Sequence, residues 1–194
     1  LATRGLCQMA AELGASAVMV TPSQEPVPNE ERIYEYFRRV AEGLAIPMVV
    51  QDHPASTQVH MSIPLLLRLV QELPQVACFK EEGVPTPARV QALLQGMTTR
   101  KVPILTGLGA LYGLFDLRSG SSGFMTGFAF PEVLMAMVQA ANDQDHAQAA
   151  AIYRHFLPLI VFEQQPGIAI RKELFRLRGL LADGTVRHPG APLN

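Results

Sequence analysis

Ile46-Pro47-Met48-Val49-Val50-Gln51, then a helical span around Ser62–Leu73, then Gln75-Val76-Ala77-Cys78-Phe79-Lys80: this strand–helix–strand succession decides the fold. Both apolar runs are short and nearly continuous rather than alternating, as expected of strands buried on both faces. A helix between two such strands is the βα repeat of a parallel sheet.

The same rhythm extends both ways. Upstream, residues 2–13 read as a helix, and Ala15–Thr21 reads as a buried strand closed by Pro22. Ser23–Pro28 is an expected loop, and Asn29 an N-cap before Glu30 and Glu31. Ile33, Phe37, Val40 and Leu44 then recur at helical spacing. After Gln51 a loop is expected through Asp52–Gln58.

Downstream, Thr86–Gly96 is helical with Pro87 in its first turn, and Val102–Thr106 is a fourth strand. Leu108–Leu117 reads as a helix, Ser122–Thr126 as a fifth strand, and helices follow at Pro131–Asn142, Asp145–Gln164 and Ile168–Leu180. Pro158 is expected to kink the second of these, and Met135, Phe156 and Phe162 are expected in the core.

Five buried strands alternating with helices argue a parallel α/β sheet covered by helices. No Gly-x-Gly-x-x-Gly opens any helix, which counts against a doubly wound dinucleotide fold. Five strands are too few to close a (β/α)8 barrel, which typically takes about 250 residues.

Composition narrows the function classes. The 194 residues are 48% hydrophobic and 17% charged, with a formal net charge of -1, so neither nucleic acid nor an anionic membrane surface is an expected partner. Two cysteines, Cys7 and Cys78, form no disulfide framework or zinc-like spacing and suit a reduced, cytoplasmic compartment. No metal or other cofactor is expected.

Polar residues collect where the strands end: Thr21, Gln51-Asp52-His53, Lys80-Glu81-Glu82, Thr106-Gly107 and Thr126-Gly127. That end of a parallel sheet is where α/β enzymes build their sites. Only three of the 16 basic residues are lysines (Lys80, Lys101 and Lys172), and Lys80 closes an apolar strand. Desolvation there disfavours the ammonium form and frees the amine as a nucleophile towards a ketone; the bland alternative is a lysine paired with Glu81 or Glu82.

The strand period of two points Glu82 the same way as Lys80, making it the candidate acid/base and Glu81 an outer partner. Asp52 and His53 could orient substrate hydroxyls or relay protons, though such a pair is more often a plain loop feature. Thr106, Gly107 and Thr126 offer hydroxyl and backbone donors.

The ordered set Gly14–Pro22, Ile46–Val50 with Pro54 shortly after, Phe79-Lys80-Glu81, Leu105-Thr106-Gly107 and Pro166–Lys172 resembles the dihydrodipicolinate synthase/N-acetylneuraminate lyase family of class I aldolase-like (β/α)8 barrels. The resemblance runs over essentially the whole chain. It implies an N-terminally incomplete TIM barrel beginning within the third barrel helix, with residues 1–130 as the partial barrel and 131–194 as the last barrel helix plus a helical extension. It also implies an imine between Lys80 and a 2-oxo acid, in a homo-oligomer, dimeric or tetrameric.

Two departures refine the expectation. The family's proton-relaying tyrosine falls at Gln51, and the arginine that dihydrodipicolinate synthases use in the next loop falls at about Ser56. Their loss argues against that activity. With Glu82 two residues after the lysine, the pattern resembles the branch that dehydrates 2-keto-3-deoxy sugar acids such as L-2-keto-3-deoxyarabonate. Catalysis is then assigned to Lys80 and Glu82, and substrate binding to Gln51, Asp52, Thr106, Gly107 and Thr126. A pyruvate-dependent aldolase or dihydrodipicolinate synthase-like protein, or an impaired remnant that only binds a small acid, is the alternative.

Overall fold

Helices and strands alternate from the first described turn. The computed structural model describes residues 2–24, 29–165 and 167–193. In chain order the elements are α1 (Ala2–Glu12), β1 (Val18–Val20), α2 (Glu30–Ala41), β2 (Met48–Asp52), α3 (Pro54–Thr57), α4 (Ile63–Glu72), β3 (Val76–Glu81) and α5 (Thr86–Gly96). They continue with β4 (Ile104–Thr106), a 3-10 turn at Leu108–Ala110, α6 (Gly113–Arg118), β5 (Gly123–Phe124), α7 (Pro131–Asn142), α8 (His146–Glu163) and α9 (Ile168–Leu177).

Strand order in the sheet follows the chain, β1-β2-β3-β4-β5, and the β1–β2 and β2–β3 ladders are parallel. Each crossover between those strands carries a helix, as parallel pairing requires. The chain divides into two units. The first runs through Leu105 and takes in Ser119–Ser122; the second holds Thr106–Arg118 and the chain from Gly123 onward.

In the first unit, β2 and β3 sort their residues by face. Met48, Val50, Val76 and Phe79 join the core with Phe37, Leu66, Leu69, Val90 and Leu93 from the covering helices. Val49 and Cys78, paired in the ladder, stay outside that cluster. A bulge between Met48 and Val49 resets the register, so Val76 and Phe79, three residues apart, both reach the core.

Helix starts follow local capping. Asn29 Oδ1 accepts from the amides of Glu31 and Arg32 at 3.0 and 3.2 Å, and Ser62 Oγ accepts from Leu65 N at 3.2 Å. The second unit has its own core, built from Leu114, Phe128, Leu134, Met137, Tyr153 and Ile160.

Several expectations are corrected. The loop expected at Asp52–Gln58 contains the short helix α3, started by Pro54 and ended by Gln58 in the left-handed region. The single helix expected over Leu108–Leu117 is broken, because Leu108, Gly109 and Ala110 all take positive φ. Met135 and Phe162, expected in the core, are 71% and 52% exposed, since their helices turn Leu134, Met137 and Ile160 inward instead. β1 is shorter than the expected Ala15–Thr21, and α9 ends at Leu177. Part of the expected Ser23–Pro28 loop, and Pro166 of the Pro166–Lys172 segment, lie outside the described residues.

Candidate active site

The parallel register sets Gln51 beside Lys80 and Asp52 beside Glu81 at the ends of β2 and β3. Neighbours along a strand face opposite ways, so this pairing splits the polar residues into two groups. Gln51, Lys80 and Glu82 form one group; Asp52 and Glu81 form the other.

Glu82 is the centre of the first. Its Oε2 accepts from Gln51 Nε2 at 2.6 Å and lies 3.2 Å from Lys80 Nζ. His53 Nδ1 is 3.9 Å from the same oxygen and 2.9 Å from Ser56 Oγ. The side chains of Lys80 and Glu82 are 13% and 6% exposed, so the ion pair operates in a site where charges interact more strongly than in bulk water. The backbone fixes the carboxylate as well: Glu82 N donates to Asp52 O at 2.8 Å. Such an arrangement can present an amine to a carbonyl and keep a proton acceptor within reach of the atoms next to it.

Asp52, expected to orient substrate hydroxyls, faces the other way. Its Oδ2 accepts from Arg89 Nη2 at 2.5 Å, and Arg89 Nε donates to Glu81 Oε1 at 3.0 Å. Burial pushes the Asp52 carboxyl up to about 6 against the pull of Arg89. Burial, reinforced by the charge of Asp52, pushes Glu81 up to about 7. Asp52 Oδ1 and Glu81 Oε2 are buried and find no hydrogen-bond partner among the described residues.

Sequence reasoning missed Arg89. It lies on a helix eight residues beyond Glu81, and a single arginine in a helix carries no signal of its own. The available cue was the pair of adjacent acidic residues, Glu81 and Glu82, of which the strand could present only one to Lys80.

Thr106, Gly107 and Thr126 belong to the second unit. The Thr106 hydroxyl is buried and finds no hydrogen-bond partner among the described residues, while its carbonyl accepts from Met125 N at 2.9 Å. Gly107 leads into the 3-10 turn, and Thr126 Oγ1 accepts from Gly109 N at 2.7 Å, which holds that turn to the segment after β5.

Residues 3–194 match the model of the dihydrodipicolinate synthetase family. The chain belongs to this family. It is 38% identical over 186 residues to L-2-keto-3-deoxyarabonate dehydratase of Azospirillum brasilense, an alignment covering 93% of this chain and 59% of that protein. It is 28% identical over 193 residues to 4-hydroxy-tetrahydrodipicolinate synthase of Methanothrix thermoacetophila, covering 97% of this chain and 64% of that one.

Among solved structures, dihydrodipicolinate synthase from Rhodopseudomonas palustris superposes with a TM-score of 0.91 at 30% identity, covering 98% of this chain and 65% of that one. The chain thus spans about three fifths of the length of these curated relatives. Its five parallel strands and their helices are those of a family barrel over that span, as the expected partial TIM barrel requires.

Proposed function

We propose that Lys80 forms an imine with a 2-oxo acid, and that Glu82 transfers protons in the dehydration of a 2-keto-3-deoxy sugar acid. The observation that carries this is the convergence of Lys80 Nζ, at 3.2 Å, and Gln51 Nε2, at 2.6 Å, on one oxygen of Glu82.

The Lys80 amine adds to the keto carbon, and the carbonyl oxygen leaves as water. The imine acidifies C3, and Glu82 takes a C3 proton, leaving an enamine. The enamine electron pair then expels the C4 hydroxyl, which departs as water with the proton Glu82 returns. Hydrolysis of the imine frees the amine. Gln51 has no proton to relay in this scheme; its amide holds Glu82 in place, so the carboxylate takes over the acid/base work.

The dehydratase of Azospirillum brasilense, 38% identical, favours this substrate class. Gln51 disfavours the synthase reading, because a side-chain amide cannot act as a proton relay as a tyrosine can. Thr106, Gly107 and Thr126 are kept as substrate-binding positions on their placement after strand ends. A cytoplasmic homo-oligomer completes the proposal, and light scattering on the purified protein tests its size.

The experiment is borohydride reduction in the presence of pyruvate, or of 2-keto-3-deoxyarabonate, followed by peptide mass analysis of the protein made from its complete gene. The expected result is an adduct at Lys80 and none in Lys80→Ala. No adduct at Lys80, under conditions that label the Azospirillum dehydratase, would overturn the proposal.

A further inference from the structure

On the opposite face of β2 and β3 from Lys80, Asp52 and Glu81 are 1% and 0% exposed, and one guanidinium serves both. Arg89, on α5, donates from Nη2 to Asp52 Oδ2 at 2.5 Å and to Met61 O at 3.0 Å, and from Nε to Glu81 Oε1 at 3.0 Å. Gly83 N adds a fourth bond, to Glu81 Oε1 at 2.7 Å. A Cβ on Gly83 would meet Arg89 Nε at 2.7 Å and Glu81 Oε1 at 2.9 Å, so the absence of a side chain there lets the cluster close.

Stability alone is a weak reason for this cluster. Buried ion pairs and triads are often matched or exceeded in stability by apolar residues of similar size. The rest of this helix–sheet interface is built in that apolar way, from Val50, Phe79, Val90 and Leu93.

Position in the chain supplies a better reason. Asp52 follows Gln51, and Glu81 sits between Lys80 and Glu82. The carbonyl of Asp52 also holds the amide of Glu82 at 2.8 Å. Every residue that Arg89 holds by its carboxylate is therefore a direct chain neighbour of a residue in the Lys80 group.

We propose that Arg89 is a positioning residue: by clamping Asp52 and Glu81 it fixes the ends of β2 and β3 so that Glu82 stays set against Lys80 and Gln51. This rests on the reading of Lys80 as nucleophile and Glu82 as proton-transfer group. The guanidinium touches no reacting atom. It acts on geometry, and the step that depends most on geometry is proton transfer by Glu82, not attack by the long, flexible lysine.

The test separates those two steps in the protein made from its complete gene. Trapping with pyruvate and borohydride counts the sites able to form the imine at Lys80; turnover of 2-keto-3-deoxyarabonate is then expressed per trapped site. Arg89→Gln is expected to trap pyruvate normally, while kcat per trapped site falls about 100-fold, the size of effect expected from a misplacement of about 1 Å. KM is expected to change little, and Arg89→Lys, which supplies a point charge in place of the fork, to recover part of kcat.

A merely structural Arg89 predicts that trapping and turnover fall together, with kcat per trapped site unchanged; that result overturns the inference. If Arg89→Gln does not accumulate as folded protein, Glu81→Leu takes its place, since it leaves Arg89 paired with Asp52 and removes one arm of the clamp. Wild-type kcat per trapped site in Glu81→Leu overturns the inference equally. A wild-type protein that never labels at Lys80 removes the functional reading and the inference with it, whereas a labelled wild type beside an unaffected Arg89 variant removes the inference alone.

Discussion

Glu82 Oε2 stands 3.2 Å from Lys80 Nζ, two residues back along the chain. The carboxylate is near enough to take a proton from a carbon adjacent to an imine at that nitrogen, and it is held there by Gln51. Replacing it with an amide keeps the shape and removes the basicity. Glu82→Gln is therefore expected to form the pyruvate adduct at Lys80 while losing turnover of 2-keto-3-deoxyarabonate by roughly 10²- to 10⁴-fold, the usual contribution of a positioned acid/base. Adduct mass and steady-state turnover, measured on one preparation, check both halves.

Gln51 contributes one short hydrogen bond to a nearly buried carboxylate, 2.6 Å long. A hydrogen bond to a charged group is worth about 1.5–3 kcal/mol, and Leu at this position would offer none. Gln51→Leu is expected to lower kcat by roughly 10- to 100-fold on that basis, leaving the Lys80 adduct in place. A variant with wild-type kcat would show that Lys80 and the backbone at Asp52 are enough to hold Glu82.

The Lys80–Glu82 pairing was legible in the sequence because strand geometry alone dictates it: a lysine ending an apolar run and a carboxylate two residues on must share a face. The same rule put Glu81 on the other side, but it could not say what waited there. Arg89 comes from a helix after the cis Val84-Pro85 bond, and its approach depends on tertiary packing that no local pattern encodes. Asp52, a substrate-binding candidate on its place at the strand end beside Gln51, is set beside Glu81 by strand alternation together with the ladder register. The break at Leu108–Ala110 was hidden too, because leucine and alanine seldom take positive φ and so announce a helix where none continues.

Asp52 and Glu81 also make stability depend on pH. Both carboxyls are raised by burial, to about 6 and about 7, above their ordinary values of 3.8 and 4.5. Between those limits the folded chain binds more protons than the unfolded one, so their contribution is fully present below about pH 4 and is lost as pH rises through about 7. Arg89 of α5, His60, and Glu82 beyond β3 are the other charges acting on the pair. Glu31, Glu35, Glu173 and Asp183, lowered by hydrogen bonding to their neighbours, act in the opposite sense at lower pH. The difference between wild type and Glu81→Gln isolates the buried carboxyl. The expected outcome is a urea midpoint that falls less steeply from pH 5 to pH 8, a window of roughly one unit beyond either raised value, in the variant. Parallel curves would mean that Glu81 titrates alike in the folded and unfolded chain.

Thr106 offers a test in which stability and activity should part. Its hydroxyl is buried with no hydrogen-bond partner among the described residues, and a buried hydroxyl in that state carries a penalty of about 1–3 kcal/mol. Valine has nearly the same shape and nothing to satisfy. Thr106→Val is thus expected to raise Tm, or at worst leave it unchanged. If the hydroxyl is kept for a substrate oxygen, as its place at the end of β4 suggests, the same change should raise KM for 2-keto-3-deoxyarabonate by roughly ten-fold, the loss of one hydrogen bond of about 1.4 kcal/mol. A variant with higher Tm and unchanged KM would assign the hydroxyl no part in binding. A variant with lower Tm would mean that the hydroxyl has a partner in the folded protein after all, and that Thr106 serves the fold.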